Sequence, residues 1–243
     1  MSSDGFCIVG HRGAPHEALE NTLESFQAAR RMGVGAVEFD VQLSRDGVPF
    51  LFHDFSTERL AGIDRYIVEM HSSQVRGIEL QGSYRIPSLQ DALKGLKGIV
   101  KFIELKTLWP DGVDRNPGIV DAVCSMVEKE GAVKECRIIS FDPRKTREVR
   151  ERYPGFVTGI DIDVQTLQSP LGDMVREEMR ECDLLVPESG LARELGKERE
   201  RCIPWTVNSI GEAMEFMDSG YMGIISDVAP SLIRAMGLLC VSP

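Results

Sequence analysis

Short apolar runs alternate with amphipathic stretches along almost the whole chain. The runs with strand character are Phe6 to Gly10, Ala36 to Gln42, Val100 to Leu105, Arg137 to Phe141, Phe156 to Ile160, Leu184 to Pro187, Ile203 to Val207 and Met222 to Ser226. Helical periodicity is clearest at Thr22 to Met32, Ser88 to Leu96, Pro117 to Glu130, Pro143 to Arg152, Ile210 to Ser219 and Pro230 to Gly237. The first helix has Asn21 and Thr22 as caps and ends before Gly33. Strand then helix, eight times over, predicts the α/β class and a parallel (β/α)8 TIM barrel. A doubly wound open sheet shows the same alternation and is the alternative.

One apolar run breaks the rhythm. Val48 to His53 has no helix before it, and parallel neighbours need a crossover of about a dozen residues. With the Asp46-Gly47 turn signal it reads as a β-hairpin excursion after strand 2. Phe55 to Arg85 fits no barrel unit and is expected to be a small insertion over the barrel mouth. No linker or low-complexity tract interrupts residues 1–243, so a single TIM-barrel domain is expected, with the insertion at about 55–85.

The hairpin also carries charge where a core strand should be apolar. Glu38 and Asp40 alternate with Val37, Phe39 and Val41, so both carboxylates share one face, about 7 Å apart along the strand. A two-residue turn pairing Arg45 with Val48 would set His53 opposite Asp40, and a Ser44 to Gly47 loop would set it opposite Glu38. Both registers put His53 on the acidic face. An amphipathic hairpin with a solvated acidic face would look the same on this segment alone.

The other strand ends decide between the two. His11 and Arg12 follow the first strand, and Glu104 and Lys106, again sharing a face, end the third. Active groups of such barrels gather at the C-terminal strand ends. Three carboxylates without a cysteine ligand suit one hard divalent metal ion, Mg2+, Ca2+ or Mn2+, rather than Zn2+. Two histidines can divide general acid and base work, and Arg12 and Lys106 supply cations for phosphate oxygens. Together they describe in-line cleavage of a phosphate ester. Asp142, Asn208 and Asp227 are secondary candidates, Trp205 lines the pocket or belongs to the core, and His16 and His71 are expected at the surface.

Bulk properties restrict the partners. The net charge of −10 over 243 residues argues against nucleic acid or an anionic membrane as the main partner. Six cysteines lie scattered without CxxC spacing and read as reduced core residues. No basic leader and no long apolar run is present, so stable membrane insertion is not expected and a cytoplasmic location is. Nothing in the chain decides whether it forms a homodimer.

The ordered motifs HRG (11–13), ENT (20–22), EFDV (38–41), DG (46–47), HD (53–54), IPSL (86–89), ELK (104–106), SF (140–141), WTVN (205–208) and GIISD (223–227) resemble those of glycerophosphodiester phosphodiesterases. The resemblance implies an α/β barrel with a small insertion that releases sn-glycerol 3-phosphate and an alcohol from a glycerophosphodiester. It implies His11 and His53 as the acid/base pair, Glu38, Asp40 and Glu104 as metal ligands, and Arg12 and Lys106 on the phosphate. It also implies attack by the glycerol 2-hydroxyl and a cyclic phosphate later opened by water. Leu19 stands where proline commonly precedes ENT, Ser44-Arg45 replaces Thr-Lys, and ELK replaces EIK; none changes a charge in the site. The alternative is a related barrel phosphodiesterase acting on lysophospholipids, of lysophospholipase D or sphingomyelinase D type.

Overall fold

A computed structural model describes residues 5–107 and 113–238. Its strands are β1 (Cys7–Gly10), β2 (Ala36–Leu43), β3 (Pro49–Leu51), β4 (Val100–Leu105), β5 (Cys136–Ser140), β6 (Val157–Ile162), β7 (Leu184–Pro187) and β8 (Gly223–Ser226). All except β3 are parallel and run in the order β7-β6-β5-β4-β2-β1-β8. The helices are α1 (Leu23–Arg31), α2 (Glu58–Ala61), α3 (Ser72–Gly77), α4 (Leu89–Gly95), α5 (Ile119–Lys129), α6 (Pro143–Arg152), α7 (Val164–Gln168), α8 (Gly172–Glu181), α9 (Ser189–Ala192), α10 (Ile210–Asp218) and α11 (Ala229–Met236).

The ring closes through a segment that is not a regular strand. Ile203 to Val207, expected to be the seventh stave, is extended and bonded on both sides. Ile203 N donates to Leu185 O and Trp205 N to Pro187 O, both at 2.9 Å, while Val207 N donates to Ile225 O at 2.9 Å. Pro187 has no N–H to donate to this segment and Pro204 has none to donate on the other side, so the pairing with β7 is reduced to isolated bridges at Cys202 and Trp205. The curled sheet is therefore a TIM barrel with seven regular parallel strands and one irregular stave.

Pleating sorts the side chains into two cores. Val9, Ala36, Val100, Phe102, Ile139, Val186 and Ile225 fill the barrel interior. Val37, Phe39, Val41 and Ile103 point outward, into a second core shared with helix residues such as Phe26, Leu93, Val123 and Phe216. Gly159 leaves room inside, since a Cβ there would lie 3.0 Å from Ile139 Cγ2 and 3.1 Å from Leu184 Cβ. Along β2 and β4 the inward rows change from apolar to charged: Ala36 is followed by Glu38 and Asp40, and Phe102 by Glu104.

The hairpin sits where β1 stops short. β1 pairs β2 only at Ala36 and Val37, while β4 occupies the opposite edge through Val41. β3 then takes the vacated edge, pairing Leu51 with Val41 and Pro49 with Leu43. Its own outer edge meets the IPSL segment, where Leu51 N donates to Pro87 O at 2.9 Å. The insertion hangs from this hairpin on a separate apolar cluster of Phe50, Phe52, Leu60, Ile67, Met70, Val75, Ile78, Leu80 and Ile86.

The five described cysteines are buried, and Cys124, Cys136, Cys182 and Cys202 are free thiols; Cys240 lies outside the described residues. The run Arg193 to Arg201, which has the composition of a solvated helix face, forms two short 3-10 turns, and Arg193 pairs with Glu212 and Glu215 of α10. No helix among the described residues is long and apolar enough to cross a membrane.

One buried carboxylate locks two covering helices together. Glu178 on α8 is fully buried and accepts from Arg147 Nε at 2.8 Å and Arg150 Nη1 at 2.6 Å, both on α6. Burial opposes its ionisation, but hydrogen bonds from Arg150 and Arg147 outweigh burial and hold the carboxyl below its ordinary range. Glu178→Gln should therefore cost about 2 kcal/mol at neutral pH, the scale of charge-assisted bonds made to a buried group. A lowered folded-state pKa means this difference is full above the unfolded value of 4.5 and shrinks as acid protonates the folded carboxyl. Paired urea titrations of the two proteins at neutral and acid pH check both points.

Candidate active site

The parallel register of β2 and β4 sets Asp40 directly beside Glu104, with Glu38 one inward position below. An oxygen from each carboxylate falls within 4.8 Å of the other two, and all three residues are buried. Burial, reinforced by the charge of Asp40, pushes the Glu38 carboxyl up to about 8. Burial also opposes the ionisation of Asp40, yet Lys106, Arg12 and a hydrogen bond from Asn21 hold it well below the usual range. The cluster is thus held together by neighbouring cations.

Those cations come from the ends of β1 and β4. Lys106 Nζ lies 2.9 Å from Glu104 Oε1 and 3.4 Å from Asp40 Oδ1. Arg12 sits in a tight turn that needs Gly10, because a Cβ there would lie 2.3 Å from Gly13 O. Arg12 itself takes a positive φ of 53°, which directs its backbone N–H to Glu38 Oε2 at 3.1 Å. Its Nη1 donates to Glu20 Oε1 at 2.8 Å, while its buried Nε, 3.3 Å from Asp40 Oδ2, has no hydrogen-bond acceptor in suitable geometry among the described residues. Asn21, expected only to order a helix start, is buried at φ 55° and donates to Asp40 Oδ2 at 2.8 Å. Thr22 is the cap of α1.

The two histidines are built alike. His11 Nδ1 lies 2.6 Å from Asp227 Oδ1, and His53 Nδ1 lies 2.7 Å from Asp54 Oδ1. An ionised carboxylate only accepts, so Nδ1 carries the proton in each ring and Nε2 is left for chemistry. His11 Nε2 lies 3.8 Å from Glu38 Oε2. Burial opposes protonation of His11, but Asp227 and Glu38 outweigh it and raise its pKa. Asp227 is held in turn by Asn208 Nδ2 at 2.8 Å, which brings two of the secondary candidates into the site. Asp142, the third, caps α6 instead.

Neither hairpin register expected from the sequence occurs. Leu43 pairs with Pro49 across a five-residue connection, 44–48, in which Gly47 adopts φ 78°. Continued regularly, this ladder would set His53 opposite Phe39, on the outward face. The strand ends at Leu51 instead, and Gln42 Nε2 donates to Phe52 O at 2.9 Å and Asp54 O at 2.8 Å. That clamp turns His53 back toward the cluster, close enough for its charge to act on Asp40 and Glu104.

Trp205 is half-buried, its Nε1 donating to Val186 O at 2.8 Å and its ring meeting Phe141 edge-on at 5.6 Å. It packs on the interior core and is partly exposed. His16 is exposed, and His71 caps α3 at the surface. A residue missed in the sequence is Asp161 on β6. It is buried, near enough to Glu104 and Glu38 for their charges to act on it, and its Oδ2 has no hydrogen-bond partner among the described residues. Its signal was the alternation Val157, Gly159, Asp161, hidden because the apolar run ends at Ile160.

A barrel with buried carboxylates, two aspartate-held histidines and two cations at its strand ends defines a phosphodiester-cleaving class of enzyme. The model of the glycerophosphoryl diester phosphodiesterase family matches residues 11–230. The chain is 25% identical over 240 residues to a glycerophosphodiester phosphodiesterase of Caldanaerobacter subterraneus, covering 93% of this chain and 96% of that one. It superposes on the Thermotoga maritima glycerophosphodiester phosphodiesterase with a TM-score of 0.76 at 26% identity, covering 95% and 98% of the two chains. An Oleispira antarctica phosphodiesterase solved with its product sn-glycerol-3-phosphate shares the fold at a TM-score of 0.82 and 21% identity, with coverage of 95% and 96%. The chain belongs to the glycerophosphoryl diester phosphodiesterase family and is a glycerophosphodiester phosphodiesterase.

The Gln42 clamp can be tested directly. Gln42→Leu leaves the carbonyls of Phe52 and Asp54 without their donor and should destabilise the protein by about 2 kcal/mol. The loss should be local to the hairpin end. Hydrogen exchange should rise at residues 50–54 while β4 and β5 stay protected.

Proposed function

We propose that the protein hydrolyses glycerophosphodiesters to sn-glycerol 3-phosphate and an alcohol, using one divalent cation and the pair His11 and His53. The observation that carries this reading is the pair of aspartate-held imidazoles placed about a buried cluster of three carboxylates. The cluster fits a cation on its own chemistry. It is all oxygen, it carries more negative charge than burial tolerates, and the nearby Asp161 Oδ2 has no partner among the described residues.

Glu38, Asp40 and Glu104 would hold the ion. Mg2+, Ca2+ or Mn2+, when bound, supplies positive charge to phosphate oxygens and favours the ionised form of an attacking hydroxyl. The remaining work falls to the chain. Arg12 presents a buried Nε with no acceptor among the described residues, suited to a phosphate oxygen, and Lys106 can share its ammonium between Glu104 and the substrate. One imidazole Nε2 takes the proton of the attacking glycerol 2-hydroxyl, while the other protonates the departing alcohol oxygen as the P–O bond breaks. Water then opens the cyclic phosphate with the two imidazoles exchanging roles. The partly exposed Trp205 can cover the glycerol carbons.

Glycerophosphocholine, glycerophosphoethanolamine, glycerophosphoinositol and lysophosphatidylcholine, followed by 31P NMR, test the reaction. The glycerol-based diesters should yield sn-glycerol 3-phosphate; turnover of the lysolipid alone would overturn the reading. Exhaustive EDTA dialysis should abolish hydrolysis, and Mg2+, Ca2+ or Mn2+ should restore it. Full activity after dialysis would remove the metal from the scheme.

The histidines make a separate prediction. His11→Ala and His53→Ala should each lower kcat by about 10²-fold or more, the usual contribution of a general acid or base. His16→Ala and His71→Ala should leave kcat near that of the unmodified enzyme. Steady-state kinetics on glycerophosphocholine with the metal in excess gives all four values.

A further inference from the structure

Arg59 lies in the insertion, at the second position of α2, outside every strand end that builds the site. Its guanidinium nevertheless reaches two carboxylates that serve the site. Nε donates to Asp54 Oδ2 at 2.5 Å, and Nη1 and Nη2 donate to Glu20 Oε2 and Oε1 at 3.0 and 2.7 Å. Asp54 is the carboxylate that holds His53 Nδ1, and Glu20 is the one that holds Arg12 Nη1. A planar fork can satisfy both carboxylates at once, and a lysine cannot.

The insertion fixes this side chain from its own core. Leu60, the next residue, is buried in the insertion's apolar cluster, and Gln81 Nε2 donates to Arg59 O at 2.9 Å. Thr57, two residues before, is fully buried, with its N–H bonded to Arg65 O at 2.8 Å and its hydroxyl to Ile63 O at 2.6 Å. Arg59 itself stays 47% exposed at the side chain, so replacing it removes little core.

We infer that Arg59 is a positioning residue for the reaction: it ties the orientation of His53, through Asp54, to the orientation of Arg12, through Glu20. The insertion thereby acts on both the proton-transfer group and the phosphate-binding group through the carboxylates that hold them. This inference rests on the roles proposed above for His53 and Arg12.

Kinetics on glycerophosphocholine separates the two arms. Arg59→Ala should lower kcat through His53 and raise KM through Arg12, each by about tenfold or more, the scale expected when reacting groups are misplaced by about 1 Å. In an Asp54→Asn background the same change should still raise KM but lower kcat by no more than about twofold, because its route to His53 is already cut. Arg59→Lys should recover one arm and not both, and millimolar guanidinium should restore part of the Arg59→Ala loss without affecting the unmodified enzyme. Thermal unfolding should place all variants near the parent, and if Arg59→Ala does not fold, Arg59→Lys carries the same comparison. An Arg59→Ala enzyme within about twofold of the parent, or an equal kcat loss in both backgrounds, overturns the inference. His53→Ala run alongside tells the two failures apart. If it is harmless, the reading of His53 falls and this inference with it; if it is damaging while Arg59→Ala is not, only the role of Arg59 falls.

Discussion

Three carboxylates buried at the top of a barrel are unstable unless positive charge meets them, and much of the site answers that demand. Lys106 stands between Glu104 and Asp40, Arg12 approaches Asp40 from the β1 loop, and His11 faces Glu38. Even the unusual backbone of the β1 loop has this purpose. Arg12 and Asn21 both adopt left-handed conformations, and each directs a donor at a member of the cluster. The strain of these positions is held in place by the hydrogen bonds it makes possible.

The barrel makes such a site cheap to build in sequence terms. Inward rows on β2 and β4 stay apolar at the base, where Ala36 and Phe102 fill the interior, and change to acids at the top. The change needs no break in the strand, because pleating alone keeps Glu38, Asp40 and Glu104 on the inner side. Outward residues of the same strands, Val37, Phe39 and Ile103, continue to serve the helix layer. One strand therefore supports packing on one face and chemistry on the other.

This alternation explains what could be read from the sequence. Glu38 with Asp40, and Glu104 with Lys106, share faces by period two, so their meeting was legible before any coordinates. The fold was legible from eight apolar runs, although Pro187 and Pro204, which lack ladder donors, made one of them an irregular stave. What escaped was set by contacts distant in sequence. The hairpin register falls between the two considered, and His53 reaches the site through the Gln42 clamp and not through the ladder. Asp161 was hidden because an acid at the end of an apolar run looks like the run's boundary. Asn21 looked like a cap because Thr22 beside it is one.

The place where the hairpin attaches has an evolutionary consequence. β3 occupies an edge of β2 that the barrel leaves free above β1, so the hydrogen bonds that close the ring do not pass through it. The segment it carries has its own apolar core. Length and composition there can drift without opening the barrel, much as a side branch can change without weakening a trunk. Change in this part of the chain thus spares the ring, and its limit is set by side chains such as Arg59 that hold carboxylates of the site.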